Sequence, residues 1–262
     1  VETIYKCFES IFIMKGKIFI SIFYILFIFN SNLLSDEDNK TLKVGLLAPL
    51  SGPYKEIGNS LLYSLNLSLE EISDKIHLND GSATCVQFDL SDLNKIYDLS
   101  QEIKERWGKL DILISNAAYL HNLTPLSHLS DKDWQISINV NLSANWLLIK
   151  YFEKLLLESE NGKAIFITSG ASEGFRPFWG AYAISKAGLD SMVRAWSSEM
   201  KETKLKINLY DPGATKTQMR EKAYPGENPN TLKHPSKVAE EILKICEVGF
   251  NNNGERLKYP NF

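Results

Sequence analysis

The sequence predicts an α/β fold in which helices cover both faces of a doubly wound, mostly parallel sheet. Short apolar runs alternate along the chain with longer stretches whose apolar residues recur at helical spacing. A strand, a helix and a second strand in succession form a right-handed crossover, and a series of crossovers builds a parallel sheet between helices. We expect the first βαβ unit to be incomplete or atypical, because no clear second strand follows the first helix.

Composition excludes several classes of protein. Of the 262 residues, 44% are hydrophobic and 23% are charged, which is typical of a globular chain and not of a disordered, collagen-like or multi-span membrane protein. The formal net charge of −3 gives no electrostatic signature of a nucleic-acid partner. The 3 cysteines and 4 histidines lack metal-ligand spacing, so we expect neither nucleic acid nor a metal ion as a ligand.

The first predicted elements are a strand and a helix, and another strand follows further along the chain. Lys43–Leu50 is an apolar run that ends in a Ser-Gly-Pro turn, and Ile57–Ile72 carries leucines at helical spacing. Ala83–Phe88 predicts the next strand. Ser91 then follows as the candidate cap of a helix that Gly108 ends.

The remaining elements alternate in the same way. Leu110–Ile114, Ala164–Thr168 and Ile207–Tyr210 are short apolar runs that predict buried strands. Between these strands, Asp131–Leu157 and Ala181–Met200 carry an apolar stripe at helical spacing and predict two long helices.

An apolar segment near the N-terminus predicts a leader. Residues 18–29 are almost entirely apolar, Lys15 and Lys17 precede them, and an acidic cluster follows. This order is typical of a secretory signal, or of an uncleaved anchor that contacts the membrane through residues 18–29. Such a run rises about 18 Å as a helix, against roughly 30 Å of hydrocarbon, so a spanning helix is less favoured. We therefore expect a signal-like or anchor leader over residues 1–40, with a buried segment as the alternative.

Polar groups follow the predicted strands at the sheet edge where open α/β folds bind ligands. Tyr182 and Lys186 lie one helical turn apart, and Ser169 ends the strand before their helix. An ammonium beside a phenol favours the phenolate and lowers its pKa from about 10, which suits proton transfer near neutral pH. The alternative is a tyrosine that only packs and a lysine that is only solvated.

Several ordered motifs strengthen the catalytic interpretation. They are KLDILISNAA (Lys109–Ala118), NVNLSANW (Asn139–Trp146), AIFITSG (Ala164–Gly170), AYAISKAGLD (Ala181–Asp190) and DPGATKT (Asp211–Thr217). Through them, residues 77–250 resemble the short-chain dehydrogenase/reductase family. The resemblance implies a Rossmann-like sheet and hydride transfer between NADP or NAD and a small-molecule carbonyl or alcohol substrate. It also implies a homo-oligomer, a dimer or tetramer, because the two long predicted helices resemble the pair that builds family dimers.

By this resemblance, four residues are catalytic candidates. Tyr182 would be the acid/base, and Ser169 would hydrogen-bond the substrate oxygen. Lys186 would hold the nicotinamide ribose hydroxyls and depress the pKa of the phenol. Asn141 would hold a water in the proton relay behind the lysine.

The resemblance also implies a set of cofactor contacts. Besides Tyr182 and Lys186, they are Asp89, Asn116, Ala117, Pro212, Gly213 and Thr217. Asp89 matches the acidic residue that bonds the adenine amino group, and the Pro-Gly-x-x-x-Thr segment matches the contact to the nicotinamide carboxamide. The aromatic residues Phe175, Phe178 and Trp179 are candidates for a substrate wall, with plain packing as the alternative.

The glycine-rich phosphate motif of the family is degraded in this chain. In SGPYKEIG (Ser51–Gly58), Gly52 and Gly58 match the outer glycines, but Glu56 replaces the middle one. A carboxylate there would oppose the phosphates and block close approach of the backbone. Lys55 lies near the position where a basic residue contacts the 2′-phosphate, which favours NADP over NAD.

A second resemblance covers residues 43–72, which are similar to the opening of type I periplasmic ligand-binding proteins. The predicted domains are therefore the leader, an atypical βα unit over residues 41–76, a catalytic domain over 77–250 and a tail over 251–262. A chimeric junction would lie near residues 67–76.

Three functions stay open at this point. The chain is an oxidoreductase, a chimeric chain or pseudoenzyme with impaired cofactor binding, or a fragment of an exported ligand-binding protein. The catalytic part implies a cytoplasmic location, where nicotinamide cofactors are available, whereas the leader implies export or anchoring.

Overall fold

The structure is a computed structural model that describes residues 25–26, 43–48, 82–87, 89–174 and 176–260. The first three ranges are strands whose backbone pairing is described: β1 (Ile25–Leu26), β2 (Lys43–Ala48) and β3 (Ser82–Gln87). The SGPYKEIG segment and residues 49–72 of the ligand-binding resemblance lie outside the described residues, and so does most of the predicted leader.

The main sheet has five strands in the order β1-β4-β5-β6-β7. Its further members are β4 (Ile112–Ser115), β5 (Lys163–Ile167), β6 (Lys206–Asp211) and β7 (Arg256–Lys258). The strands from β4 to β7 all pair in parallel, which confirms the predicted α/β class with a mostly parallel sheet. At the outer edge, β1 pairs antiparallel with β4, Ile25 opposite Ser115. Two residues of the predicted leader segment therefore take part in the sheet.

The strands β2 and β3 pair in parallel with each other, Lys43 opposite Ser82, in a separate two-stranded sheet. The sequence predicts them as members of one continuous sheet with the later strands. In the described residues neither β2 nor β3 pairs with a strand of the main sheet. The expectation of an atypical first unit thus agrees with this separate pairing.

Six α-helices are described: α1 (Lys95–Trp107), α2 (Asp131–Ile138), α3 (Ala144–Leu157), α4 (Gly180–Glu199), α5 (Gln218–Ala223) and α6 (Pro235–Cys246). Gly108 ends α1 with a φ of 70°, as predicted. The expected cap Ser91 is wrong, because α1 begins after Asn94, and Ser91 instead donates to the Asp89 carboxylate. The Ser130 hydroxyl caps α2 by accepting from the Asp133 N–H at 3.1 Å.

The predicted continuous helix over 131–157 contains a π-helical turn, Asn139–Ser143, between α2 and α3. The N–H of Ala144 bonds to the carbonyl of Asn139, a spacing of five residues instead of four. Extra residues of this kind inside a helix are frequent at functional sites.

The segment 251–262, predicted as a tail outside the catalytic domain, contributes β7 to the main sheet. Tyr210 of β6 lies opposite Leu257, which is buried. The prediction of a tail is therefore corrected for residues 256–258. A three-residue strand gives too short an apolar pattern to be found by periodicity.

The core lies between the sheet and the helices packed on it. Phe152 of α3, Phe166 of β5 and Ile207 of β6 are fully buried. Phe166 meets Trp196 of α4 edge to face, with ring centroids 6.1 Å apart. None of the helices in the described ranges combines the length and apolar character that crossing a membrane requires.

We predict that Phe166→Ala lowers the free energy of unfolding by about 3–5 kcal/mol, because it leaves a cavity under β5. Phe178→Ala is the control, since that ring is 54% exposed, and its cost should stay within about 1 kcal/mol. Urea denaturation followed by circular dichroism measures both values. Equal costs for the two variants would contradict this core.

Candidate active site

The candidate site residues lie where the parallel strands of the main sheet end. Asn116 directly follows β4, Ser169 follows β5, and Pro212 follows β6. Because neighbouring parallel strands end at one edge of a sheet, their terminal residues are brought close together.

Ser169 and Tyr182 meet at this edge. The hydroxyl of Ser169 lies close enough to the phenol of Tyr182 to lower the pKa of that phenol as a hydrogen-bonding group. Tyr182 is in the first turn of α4 and is 5% exposed, whereas Ser169 is half-buried. The hydroxyl groups of Ser169 and Tyr182 therefore lie at the sheet edge, in largely apolar surroundings.

Lys186 lies one turn further along α4 and is also buried, at 2% exposed. Its ammonium donates a hydrogen bond of 2.7 Å to the carbonyl of Ile167, the last residue of β5. This bond fixes the lysine against the strand that carries Ser169. The three side chains thus share one corner between β5 and α4.

The ionisation of this corner differs from the sequence expectation. Burial raises the pKa of Tyr182 to about 12, although the hydrogen bond to Ser169 acts in the opposite direction. The sequence predicts that Lys186 lowers this pKa, whereas in the structure burial and the charge of Asp211 raise it. The same burial lowers the pKa of Lys186 to about 8, against the opposing effect of Asp190 and Asp211.

Asn141 lies in the π-helical turn and is fully buried. Its amide nitrogen donates to the Tyr119 carbonyl at 2.9 Å and to the Ser185 hydroxyl at 3.0 Å. Its amide oxygen accepts from the Tyr119 N–H at 2.7 Å. Ser185 in turn donates to the carbonyl of Tyr182 at 2.8 Å. The two N–H donors of Asn141 thus connect the loop after β4 to the face of α4 that carries Tyr182. Among the described residues, one lone pair of its amide oxygen has no hydrogen-bond donor.

Sequence reasoning missed three residues that complete this network. Besides Ser185, the hydroxyl of Ser115 donates to the side chain of Asn145 at 2.5 Å. Asn145 then donates to the backbone carbonyl of Asn141 at 2.9 Å. The spacing of Asn141 and Asn145, four residues apart in NVNLSANW, was the available signal, since it places both on one helix face.

Besides Lys186, the predicted cofactor contacts Asp89 and Thr217 use side-chain oxygens in hydrogen bonds within the chain. The Asp89 carboxylate accepts from the Ser91 N–H at 2.8 Å and from the Ser91 hydroxyl at 2.7 Å. The Thr217 hydroxyl caps α5 by accepting from the Arg220 N–H at 3.2 Å, which leaves its own proton available for donation.

The other cofactor candidates lie at the same edge of the sheet. Asn116 is half-buried and Ala117 is buried. Gly213 is exposed and has a φ of 63°, a left-handed conformation that favours glycine, and its N–H donates to Asp211 at 3.0 Å. The exposed turn at Gly213 and the unused proton of the Thr217 hydroxyl are polar groups that fit the nicotinamide half of a dinucleotide. Within the described residues no group of histidine, cysteine and carboxylate side chains could hold a metal ion.

The aromatic residues before Tyr182 have different environments. Phe178 is exposed and has a φ of 73°, which is rare for a bulky residue. Trp179 meets Tyr182 edge to face at 5.7 Å, and its ring lies 5.9 Å from that of Tyr224. The rings of Trp179 and Tyr224 therefore line the site beside the phenol of Tyr182. Phe175 lies outside the described residues.

A buried arginine supports the site from β7. The side chain of Arg256 is only 5% exposed to solvent. Its guanidinium donates to Asp190 of α4 at 2.5 Å, to Asp211 of β6 at 2.9 Å and to the Ser169 carbonyl at 2.9 Å. Ser172, in the loop after β5, also bonds both Arg256 and Asp190 at 2.7 Å. This network joins three elements behind Ser169. Sequence reasoning missed it because Arg256 is far along the chain from every group that it bonds.

Comparison with known proteins agrees with this arrangement. A sequence model of the family described as short chain dehydrogenase matches residues 58–228. The match begins inside the segment 41–76, which resembled ligand-binding proteins, and the comparisons do not show that second resemblance. The family resemblance over the catalytic part is thereby confirmed.

Individual relatives give the same result. The oxidoreductase YciK of Escherichia coli K12 is 32% identical over 167 residues, 62% of this chain. The chain spans 66% of the length of YciK, and 60% and 59% of two further curated relatives.

Solved structures extend the agreement to the fold. A short chain dehydrogenase from Salmonella enterica serovar Typhi CT18 superposes with a TM-score of 0.71 at 27% identity, over 76% of this chain and 82% of that one. A short chain dehydrogenase from Escherichia coli CFT073, complexed with NADPH, gives a TM-score of 0.69 at 27% identity over the same shares. The Rossmann-like fold is confirmed by these superpositions.

We predict that Arg256→Met lowers the free energy of unfolding by about 3–5 kcal/mol, because it leaves two buried carboxylates without their counter-ion. The matched control is Arg106→Met, which removes an exposed pair with Glu102 and should cost at most about 1 kcal/mol. Urea denaturation at pH 7 measures both. A loss below about 1 kcal/mol for Arg256→Met would contradict the supporting role of this arginine.

Lys186 gives a prediction about pH. Its pKa of about 8 in the folded chain is below the ordinary value of 10.5, so between these pH values the unfolded chain binds more protons. Burial of the amine therefore opposes folding fully below pH 8, and the penalty disappears as the pH rises toward 10.5. We expect Lys186→Met to raise the free energy of unfolding by about 1–3 kcal/mol at pH 7 and by progressively less up to pH 10.

Denaturation series from pH 7 to pH 10 test this dependence. Lys132→Met removes an exposed lysine and serves as the control, whose effect should not change over that range. A constant difference between Lys186→Met and the unaltered chain would show that Lys186 keeps its ordinary pKa.

Proposed function

The chain belongs to the short chain dehydrogenase family, and we propose that it is an oxidoreductase that transfers a hydride between NADP or NAD and a small carbonyl or alcohol compound. The observation that carries the proposal is the corner where Ser169, Tyr182 and Lys186 lie against the end of β5. This corner joins a hydroxyl, a phenol and an amine at the sheet edge where open α/β folds bind ligands.

In the proposed reaction, the substrate oxygen lies between two hydroxyls. Ser169 donates a hydrogen bond to the carbonyl oxygen, and Tyr182 transfers its proton to that oxygen as negative charge develops. The raised pKa of Tyr182 keeps the phenol protonated near pH 7, which supports its role as the acid in carbonyl reduction. The nicotinamide cofactor, when bound, supplies or accepts the hydride.

Lys186 and Asn141 are proposed as the residues behind the phenol. The amine, held by the Ile167 carbonyl, lies where it can bond the ribose hydroxyls and return a proton toward Tyr182. Asn141 fixes this part of α4 through Ser185, and the remaining lone pair of its oxygen is the atom available for a relay water.

The proposed cofactor contacts are Asp89, Asn116, Ala117, Pro212, Gly213 and Thr217, together with Tyr182 and Lys186. We favour NADP over NAD, since a structural relative from Shigella flexneri was crystallised with NADP and the one from Escherichia coli CFT073 with NADPH. Lys55, the sequence-based argument for NADP, lies outside the described residues.

We also propose that the chain forms a homo-oligomer through the face of α3. Trp146 is 51% exposed there, and Lys150 lies over its ring at 5.2 Å. A large exposed ring on a long helix is typical of a surface that a partner covers. Light scattering on the purified chain distinguishes a dimer or tetramer from a monomer.

We predict that Tyr182→Phe lowers kcat for carbonyl reduction by at least about 100-fold, because the variant has no proton to donate. Binding of NADPH, followed by the change in its fluorescence, should stay within a few-fold of the unaltered chain. Tyr97→Phe on α1, with a half-exposed ring, is the control and should keep full activity.

Two results would overturn the proposed function. Turnover by Tyr182→Phe at the rate of the unaltered chain would refute the acid role. Failure of both NADPH and NADH to bind saturably would refute the oxidoreductase itself and favour a chain that keeps the fold without the cofactor.

A further inference from the structure

One arginine beside the proposed catalytic corner has no counter-ion among the residues that the structure describes. Arg176 lies in the loop between Ser169 and Tyr182 and is exposed. No carboxylate of residues 89–174 or 176–260 lies within ion-pair distance of it. A guanidinium is a planar cation with five N–H donors, so it is suited to bind an anionic group.

The position of the guanidinium is defined by contacts on several sides. Its Nη1 donates to the hydroxyl of Tyr224 at 3.1 Å, and its central carbon lies 5.7 Å from the ring centre of Trp179. A Cβ built on Gly170 would lie 3.9 Å from Arg176 Nη2. Gly170 is the residue after Ser169, so the charge lies next to the serine that faces Tyr182.

The neighbouring arginines differ from Arg176 in this respect. Arg220 of α5 is bound by both carboxylate oxygens of Glu227, at 2.6 and 2.7 Å. Arg256 is bound by Asp190 and Asp211. Both have their charge compensated, whereas Arg176 has only a neutral phenol as a hydrogen-bond partner among the described residues.

We propose that Arg176 binds a carboxylate group on the substrate, so that the chain acts on carbonyl compounds that also carry a carboxylate. This inference rests on the proposed function and names the substrate class of that site. Guanidinium groups bind carboxylates through parallel N–H donors, and the Nη2 and Nε edge of Arg176 bonds no acceptor among residues 89–174 and 176–260. Trp179 and Tyr224, which hold the arginine, supply flat rings for the apolar or aromatic body of the substrate.

The distances suit one extended molecule. The Trp179 ring lies 5.7 Å from the central carbon of the Arg176 guanidinium and 5.7 Å from the ring of Tyr182. A substrate that rests against Trp179 would therefore have its carboxylate near Arg176 and its carbonyl near Tyr182. A carboxylated benzaldehyde combines these two groups with a flat ring.

The test compares two aldehydes that differ only in charge. 4-Carboxybenzaldehyde carries the carboxylate, and its methyl ester does not, and both are reduced with NADPH in excess. We expect the unaltered chain to prefer the acid in kcat/KM. In Arg176→Gln the ratio of kcat/KM for the acid over that for the ester should fall about 10- to 100-fold, mainly through KM, because a charge-assisted bond is lost.

Two further variants refine the measurement. Arg176→Lys keeps the charge without the paired donors, so it should recover part of the preference. Arg106→Gln removes an exposed arginine on α1 and should leave the ratio unchanged. The dissociation constant of NADPH is measured for every variant, because weaker NADPH binding in Arg176→Gln would assign this charge to the nucleotide and overturn the proposal.

The remaining outcomes separate this inference from the proposed function. An equal or lower kcat/KM for the acid in the unaltered chain overturns the carboxylate site while leaving the oxidoreductase in place. If neither aldehyde is reduced, calorimetric titration of 4-carboxybenzaldehyde in the presence of NADPH decides whether the carboxylate site exists. Saturable binding that Arg176→Gln abolishes supports the carboxylate site without the reductase, and no saturable binding overturns it.

Discussion

The burial of one guanidinium behind the sheet edge is the constraint on which the site depends. Arg256 reaches from β7 under the carbonyl of Ser169 and compensates two carboxylates, Asp190 and Asp211, that come from α4 and β6. Buried charges are tolerated only when they are paired, so these elements cannot move apart without exposing or orphaning one of the charges. The last strand of the chain thereby sets the position of the catalytic serine.

A second constraint is the satisfaction of buried polar groups at the turn between α2 and α3. The π-helical turn places Asn141 where its amide bonds the backbone of Tyr119 and the hydroxyl of Ser185. Ser185 lies beside Lys186 on α4, so the network fixes the helix that carries the phenol and the amine. Burial of this helix also decides their ionisation, because removal of water disfavours charge on both groups.

Much of the fold and of the site could be predicted from local sequence. Periodicity located the strands that became β4, β5 and β6, and the spacing of Tyr182 and Lys186 put both on one face of α4. The strand β7 was missed because three residues carry no periodic signal, and the separate pairing of β2 with β3 was missed because pairing partners are not encoded in a strand's own pattern. The error over the pKa of Tyr182 arose because a neighbouring charge is visible in a sequence and a residue's burial is not.

The sequence by itself determined the alternation of strands and helices, the strand ends at which polar side chains gather, and the one-turn spacing of the phenol and the amine. These properties are local, since they depend on residues within a few positions of each other. Only the tertiary structure decided that Arg256 bonds the Ser169 carbonyl, that Arg176 lies beside Ser169 without a carboxylate partner among the described residues, and that burial raises the pKa of the phenol. Those properties depend on contacts between distant segments and on exclusion of water, which arise when the whole sheet is assembled.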